Sequence, residues 1–398
     1  MFELVSPTGQ QEVIKVVGVG GGGCNAVDYM VECGIEGVEF ISSNTDIKVL
    51  NRSLAPVSLQ LGEALTRGLG AGANPDIGRQ AAMENRDRIA EALSNSDMVF
   101  ITAGMGGGTG TGAAPVIAQL AKEQGILTVA VVTKPFAFEG SRRMQIAEAG
   151  IEELSRMVDS LITIPNEKLT QVLAKQITLQ NAFAAANQVL FNAVHGISDL
   201  ITHPGQINID FADVRTVMSE TGMAMMGSAI ASGKDRAAEA ARSAVSSPLL
   251  EDIDISGARG ILVNVTAGPD LGLAEFSDVG EVVKEYACED AMIIIGTAVD
   301  EEMTDEIRVT LVATGIGVGE EKELPKREPV KAVNAYRVLQ GGATAVGADF
   351  AGLDVPAVIR SNPAAVRTTS ERGQYGPYDE REAERFEIPA FLRNRRAD

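Results

Sequence analysis

Cysteine, histidine and positive charge are all scarce in this 398-residue chain. Its three cysteines, Cys24, Cys33 and Cys288, are too few and too scattered for a disulfide framework or a zinc site, which need close pairs; a reducing compartment suits them. The two histidines, His195 and His203, fall in no ligand or catalytic pattern and take no role. Lys and Arg number 34 against 54 Asp and Glu, so the formal net charge is −20. That is the opposite of the basic footprint by which proteins hold phosphate backbones or anionic lipid, and it argues against nucleic acid as a partner. No apolar run approaches the roughly 18 residues that span a bilayer. The first residues lack the basic segment and apolar stretch of a secretory leader. The expectation is a soluble, cytoplasmic protein with no direct membrane insertion.

What the chain does have is 45% hydrophobic residues and 42 glycines, enough for a large core divided over about two to three domains. From Val13 to Val132, short β-branched runs alternate with glycine turns and helical periods, the pattern of βαβ units and a parallel sheet. Strands are expected at Ile14–Val19, Val38–Ser42, Met98–Ala103 and Ile126–Val132. Helices are expected at Asn25–Glu32, Asp76–Leu93 and Ala113–Gln124, the last with Pro115 in its first turn. Leu169 to Ile201 is apolar at helical spacing and stops at His203-Pro204-Gly205, which predicts one long connecting helix. Beyond it, strands at Ala258–Thr266, Ala291–Val299 and Glu306–Ala313 and a helix at Ser277–Tyr286 predict a second α/β unit.

The fold class is therefore α/β. A doubly wound, Rossmann-like nucleotide-binding domain (residues 1–168) is joined by a long central helix (169–203) to a smaller α/β domain (204–319). Residues 320–384 are charged, rich in Pro, Gly, Ala and Ser, and without period, as in a flexible linker. Residues 385–398 restore Phe386, Ile388, Phe391 and Leu392, an apolar cluster that cannot bury itself alone and is expected to be a docking peptide.

Three glycine loops carry the chemistry. Gly18, Gly20 and Gly23 satisfy G-x-G-x-x-G between a strand and a helix, where backbone can approach a phosphate and helix N–H groups are unpaired. A Rossmann dinucleotide site, with Glu36 or Glu39 on the ribose, and a tight turn without ligand both remain open on this loop alone. The second loop, Gly104-Met105-Gly106-Gly107-Gly108-Thr109-Gly110-Thr111-Gly112, adds hydroxyls to backbone donors. Neither loop holds a lysine, so the G-x-x-x-x-G-K-[ST] NTPase pattern is absent. The third, Gly68 to Pro75, again precedes a helix, and three converging loops suit a triphosphate better than a pyrophosphate. A chain of charge −20 can hold such an anion only through local dipoles.

A separate acidic stretch, Asn208-Ile209-Asp210-Phe211-Ala212-Asp213-Val214-Arg215, follows the long helix. Two carboxylates three residues apart share a helix face and can polarise a water. The same spacing suits capping, with Asp210 at the N-cap and Asp213 at N3, and on the residues alone capping is favoured.

Gly107-Gly108-Thr109-Gly110-Thr111-Gly112 resembles the signature of the tubulin/FtsZ family, and the chain is similar to its bacterial cell-division branch over nearly its whole length. The resemblance implies GTP/GDP binding, head-to-tail filaments and assembly-dependent GTP hydrolysis at the mid-cell division ring. It implies phosphate contacts at Gly20, Gly21, Gly22, Gly23 and Cys24, at Ala71, Gly72 and Ala73, and at Gly108, Thr109 and Gly110. Ribose contacts fall on Glu139 and Arg143, and guanine recognition on Asn25, Phe183 and Asn187. Mg²⁺ would be held mainly by phosphates and water, without a protein metal site.

Cys24 stands where a fifth glycine is expected, and its side chain either crowds the phosphates or points away. Asn187-Gln188 stands where many relatives carry an acidic residue. The resemblance also reverses the capping preference: Asp210 and Asp213, with Asn208 orienting, would activate the attacking water. A connecting helix of roughly 30 residues, about 45 Å, keeps them from their own nucleotide, so they would serve the next subunit. The terminal peptide would dock on membrane-tethering adaptors and division regulators. Deleting the residues from Phe386 onward is expected to leave GTP turnover unchanged while abolishing adaptor co-sedimentation; a large loss of turnover would contradict that division of labour.

Overall fold

The run Ile14-Lys15-Val16-Val17-Gly18-Val19 forms β1 (Ile14–Val19), buried along its whole length as a central parallel strand is. The computed structural model describes residues 12–172, 178–203, 205–207, 209–220, 222–250, 257–288, 290–301 and 303–316, all within one compact unit. Asn208, the linker at 320–384 and the peptide at 385–398 lie outside the described residues.

After β1 come α1 (Gly20–Glu32), β2 (Val38–Asn44), the short α2 (Ile47–Leu50), β3 (Val57–Gln60), the short α3 (Glu63–Thr66), α4 (Pro75–Glu84), α5 (Arg86–Leu93) and β4 (Met98–Gly104). Then follow α6 (Thr109–Glu123), β5 (Leu127–Lys134), α7 (Ser141–Ser155), β6 (Ser160–Pro165), α8 (Asn166–Val172) and α9 (Leu179–Thr202). The last third holds α10 (Phe211–Met218), β7 (Met223–Ser232), α11 (Arg236–Val245), β8 (Gly260–Ala267), α12 (Leu273–Tyr286), β9 (Met292–Val299) and β10 (Glu306–Ile316).

The first six strands lie in the order β3-β2-β1-β4-β5-β6, all parallel. Chain direction across the sheet reverses between β1 and β4, and the carboxyl ends of those two strands open a crevice where such folds place ligands. Alternation along β1 sends Ile14 and Val16 into a core shared with α1 and α9, and Val17 and Val19 into one shared with α4, α5, α6 and α7. Helices thus cover both faces, as expected for a doubly wound sheet. Lys15, at the opposite end of β1, donates from Nζ to the carbonyls of Ala92 and Ser94 at 3.0 Å each, closing the end of α5.

The remaining strands run β7-β10-β8-β9, with β10 antiparallel to both neighbours and β8 parallel to β9. Two residue pairs, Leu161↔Met223 and Ile162↔Ala224, join β7 to β6, so one ten-stranded sheet runs through both halves. One face of the second half packs on α11 and α12; the other, through Met226, Leu262 and Val312, meets α9 and α10. The central helix is therefore core to both halves.

Several boundaries differ from the sequence expectation. The first helix starts at Gly20, inside the glycine run, rather than at Asn25, and the expected 76–93 helix breaks at Asn85, whose Oδ1 accepts the Gly62 N–H at 2.7 Å. Pro115 sits inside α6, not in its first turn, because the helix begins at Thr109. Glycines there are helical for a packing reason: a Cβ on Gly112 would lie 1.9 Å from the Pro75 carbonyl oxygen on α4. The expected single helix over 169–203 is not continuous. Thr178 is extended (φ −75°, ψ 155°) and its side chain accepts the Asn181 N–H, so α9 begins at Leu179. Its 24 residues span about 36 Å rather than 45 Å.

An ion cluster around one buried arginine fixes α11 against α12. Arg236, 5% exposed, donates from Nε and Nη2 to Glu275 at 2.7 and 3.1 Å, and its Nη1 lies 2.9 Å from Asp270 without hydrogen-bond alignment. Those hydrogen bonds hold the Glu275 carboxyl below its ordinary pKa, against the opposing effect of burial. A depressed carboxyl contributes stability above its unfolded value, and loses it as pH falls through the native one. Glu275→Gln is expected to lower unfolding free energy by about 2–3 kcal/mol at neutral pH. The gap to wild type should narrow below about pH 4.3 in denaturant titrations; a gap that stays constant to acid pH would contradict the pair's role.

Candidate functional site

The glycine runs exist because three backbones meet at the ends of β1 and β4. Gly20 takes a left-handed φ of +71°, and a Cβ on it would lie 2.7 Å from the Gly110 nitrogen. A Cβ on Gly108 would lie 2.8 Å from the Asn74 nitrogen and 2.9 Å from the Ala71 side chain. The first loop thus touches the second, and the second touches the third. Gly70, Gly72 and Ala73 all have positive φ, a succession of tight turns in which the Gly70 N–H is taken by the Thr45 carbonyl.

Neither α1 nor α6 has a side-chain cap, and neither has an acidic residue in its first turn. Their leading N–H groups are unpaired by design of the sequence, and the positive ends of two helix dipoles lie side by side. This is an anion site built without lysine.

Two adjoining clefts open beside these loops. The first, of about 250 Å³, is lined by Gly22, Asn25, Gly104, Glu139, Arg143, Asn166, Phe183 and Asn187 among others. The second, of about 520 Å³, is lined by Gly72, Ala73, Gly106, Gly107, Gly108, Glu139, Arg142, Arg143 and Ile146. Glu139 and Arg143 belong to both walls. Glu139 accepts the Phe136 N–H at 2.9 Å through Oε1 and pairs with Arg143 at 2.9 Å through Oε2, so each orients the other. Phe136 stacks on Phe138 (5.1 Å) and meets Phe183 edge-on (5.4 Å), leaving Phe183 presented from the first turns of α9, with Asn187 one turn on.

The structure brings Gly22, Asn25, Glu139, Arg143, Phe183 and Asn187 to the first cleft, and Gly72, Ala73 and Gly108 to the second. Gly21 faces open space, while Gly23, Cys24, Ala71, Thr109 and Gly110 are buried behind the loops. Cys24 points away from the cleft: its Sγ sits 3.7 Å from the Ser43 carbonyl, 3.9 Å from that of Gly18 and 3.8 Å from Asn44 Nδ2. It does not crowd the loop. Burial pushes its thiol pKa up to about 11.

Asn166 is a cleft residue with no signal in the glycine pattern. It is 5% exposed, opens α8 directly after β6, and its Oδ1 is buried without a partner. A buried acceptor left unpaired in a cleft wall is an acceptor awaiting a donor. β6 was not among the expected strands, so nothing in the sequence reading placed Asn166 at the carboxyl end of a strand.

The acidic loop lies elsewhere. Asp210 occupies the N-cap position of α10 (φ −71°, ψ 145°), but its side chain makes no capping hydrogen bond, so capping does not account for it. Asp210 and Asp213 are both exposed, held out by Ile209, which is buried against Gly296 and Leu200. Among the described residues, none beyond Leu190 lines either cleft. From Phe183 to Thr202, α9 covers about 30 Å, and the loop comes after that. Nor do the acids of the dinucleotide alternative fit: Glu39 lies near the start of β2, paired with Lys15 at 3.3 Å, and Glu36 precedes that strand, both at the end opposite the glycine loops.

Residues 13–174 match the Tubulin/FtsZ family, GTPase domain, and residues 222–317 match the FtsZ family, C-terminal domain. A Coxiella burnetii protein named Cell division protein FtsZ is 56% identical over 400 residues, covering 100% of each chain. One of the same name from Pseudomonas aeruginosa is 55% identical over 407 residues, again covering 100% of each. The solved FtsZ dimer of M. jannaschii superposes with a TM-score of 0.73 at 47% identity, over 76% of this chain and 88% of that one.

The burial of Cys24 gives a direct check on the loop. At about pH 8 roughly one thiol in a thousand is ionised at such a pKa, so a thiol reagent is expected to modify exposed Cys33 in the native protein and Cys24 only after unfolding, read by peptide mass mapping. Rapid native labelling of Cys24 would place its side chain in the cleft instead.

Proposed function

We infer the working of this site from one premise: the chain belongs to the tubulin/FtsZ family, and it is a GTPase of bacterial cell division that assembles into filaments. The first cleft takes the guanine and ribose and the second the phosphates. Phe183 stacks on the base, and Asn25, Asn166 and Asn187 face its edge. Guanine presents N–H donors at N1 and N2 where adenine presents an acceptor, so the orphaned Asn166 Oδ1 selects guanine. Glu139 accepts ribose hydroxyls and Arg143 lies beside the sugar and first phosphate. The N–H groups of residues 20–24, 71–73 and 108–110 hold the phosphate chain.

Among the described residues no group of three His, Cys, Asp or Glu side chains is arranged to hold a metal ion. A Mg²⁺ would arrive on phosphate oxygens and keep its waters, supplying charge neutralisation when bound. Asp210 and Asp213, with Asn208 orienting, accept the proton of the water that attacks the γ-phosphate, giving GDP and phosphate.

The observation that carries this reading is the separation: an uncapped, glycine-lined anion cleft at one end of α9 and two exposed, uncommitted carboxylates beyond the other. Neither half is a complete site. A head-to-tail contact completes it, and such heterologous contacts propagate as filaments. Exposed apolar residues stand at both ends: Leu69, 79% exposed, beside the third loop, and Leu273, 84% exposed, on the rim of a hollow of about 90 Å³ shared with Ile207, Phe276 and Val299. The filaments form the ring at mid-cell, and residues 385–398 tie them to membrane adaptors.

The test is phosphate release per subunit over a series of protein concentrations, with light scattering on the same samples. Specific activity is expected to rise above a threshold that coincides with scattering. Asp210→Ala should bind GTP within about twofold of wild type and lose at least about a hundredfold in turnover. Turnover independent of concentration, or normal turnover in Asp210→Ala, would put the catalytic groups within one chain.

A further inference from the structure

Thr45 follows β2 and is fully buried, at 0% exposure. Its hydroxyl lies 2.6 Å from that of Thr109, the first residue of α6. Its carbonyl accepts the Gly70 N–H and the Thr66 hydroxyl, each at 3.3 Å. One residue thus joins the α6 loop, through its side chain, to the 68–73 loop, through its backbone. The rest of that strap is main chain: Ile47 N–H donates to the Gly68 carbonyl at 3.2 Å, and Asp46 bridges Leu69.

The loops that Thr45 joins are the two that face each other across the larger cleft, Gly72 and Ala73 on one side and Gly106 to Gly108 on the other. With the base beside Phe183 and the sugar at Glu139 and Arg143, the phosphates run into this cleft, and the distal one lies between the joined loops. We propose that Thr45 is a positioning residue for nucleotide discrimination: its hydroxyl contact with Thr109 sets the spacing of the two loops around the distal phosphate and so separates triphosphate from diphosphate. The inference rests on the guanine-nucleotide reading above.

The chemistry is specific to a hydroxyl. The two hydroxyls share one short hydrogen bond in which either can donate, and neither lines the cleft, so the contact acts by holding the start of α6 and the 68–73 loop at a fixed spacing. Valine at position 45 keeps the branched shape and the carbonyl but supplies no proton, leaving the Thr109 oxygen unpaired in a buried place. A diphosphate ends before the 71–73 loop and is held by the helix N-termini alone.

The experiment compares GTP and GDP affinities of the full chain, below the assembly threshold, for wild type, Thr45→Val and Thr45→Ser, with thermal unfolding as the control for folding. Thr45→Val is expected to weaken GTP about tenfold while GDP stays within about twofold, and Thr45→Ser is expected to restore the wild-type ratio. Should Thr45→Val not fold, Thr45→Ala, which forces no methyl against the Thr109 oxygen, reads the same ratio. Equal loss of GTP and GDP, an unchanged ratio, or no rescue by serine would make Thr45 a packing residue only. Wild type that binds neither nucleotide would remove the guanine reading itself, whereas wild type that binds both beside an unaltered Thr45→Val removes only this role.

Discussion

Unpaired N–H groups at the starts of α1 and α6 are what the rest of the structure is arranged around. An anionic ligand has to be held by a chain of net charge −20, so long-range attraction is unavailable and the holding force must be local. Two helices begin without caps, within contact of each other, at the point where strand order reverses. That contact requires Gly20, where a Cβ would meet the Gly110 backbone, and Gly108 is required in the same way against the Asn74 backbone of the third loop. Glycine here is a demand of close approach between segments more than of flexibility.

The second constraint is α9. Its Leu190, Val194 and Ile197 are buried among residues of β1, β4 and β5 on one side and of β8 and β10 on the other, so the two halves share one core instead of meeting at a hinge. The same helix presents Phe183 and Asn187 at its start and delivers the acidic loop at its end. His195 and His203 both approach Asp199 near that end, at 2.9 and 3.3 Å, which helps close the last turn before the chain leaves for Asp210. A rod of about 30 Å from Phe183 to the helix end makes the separation a fixed property of the monomer.

Seven of the ten strands, the glycine loops and the place of the acidic pair at a helix start were legible because each follows from a local rule: β-branched runs, glycine turns between a strand and a helix, carboxylates spaced three apart; β3, β6 and β7 were not expected. What was not legible depended on contacts distant in sequence. Gly110 and Gly112 look like loop residues until α4 is seen to press on them, which is why α6 begins at Thr109 with Pro115 inside it. Thr178 is of a type that caps helices but lies within an apolar helical period, and it takes the extended N-cap conformation. The direction of the Cys24 side chain was undecidable from its neighbours and is settled by Gly18, Ser43 and Asn44, which form the pocket that receives it. Asn166 announced itself only as a buried oxygen without a partner.

Charge then decides what assembly must overcome. Each subunit carries −20 and the bound triphosphate adds to it; in the proposed head-to-tail contact, Asp210 and Asp213 would add more. At physiological ionic strength, screening over about 8 Å suppresses the net repulsion between whole subunits but not the close approach of carboxylates to phosphate. The local counterweights are Arg142 and Arg143 on the cleft wall and the two helix N-termini. On the proposed shared site, hydrolysis followed by phosphate release would take away part of the charge and part of what the cleft grips, and so alter the contact that completes the site. In that proposal assembly and chemistry are coupled because one charge distribution serves both.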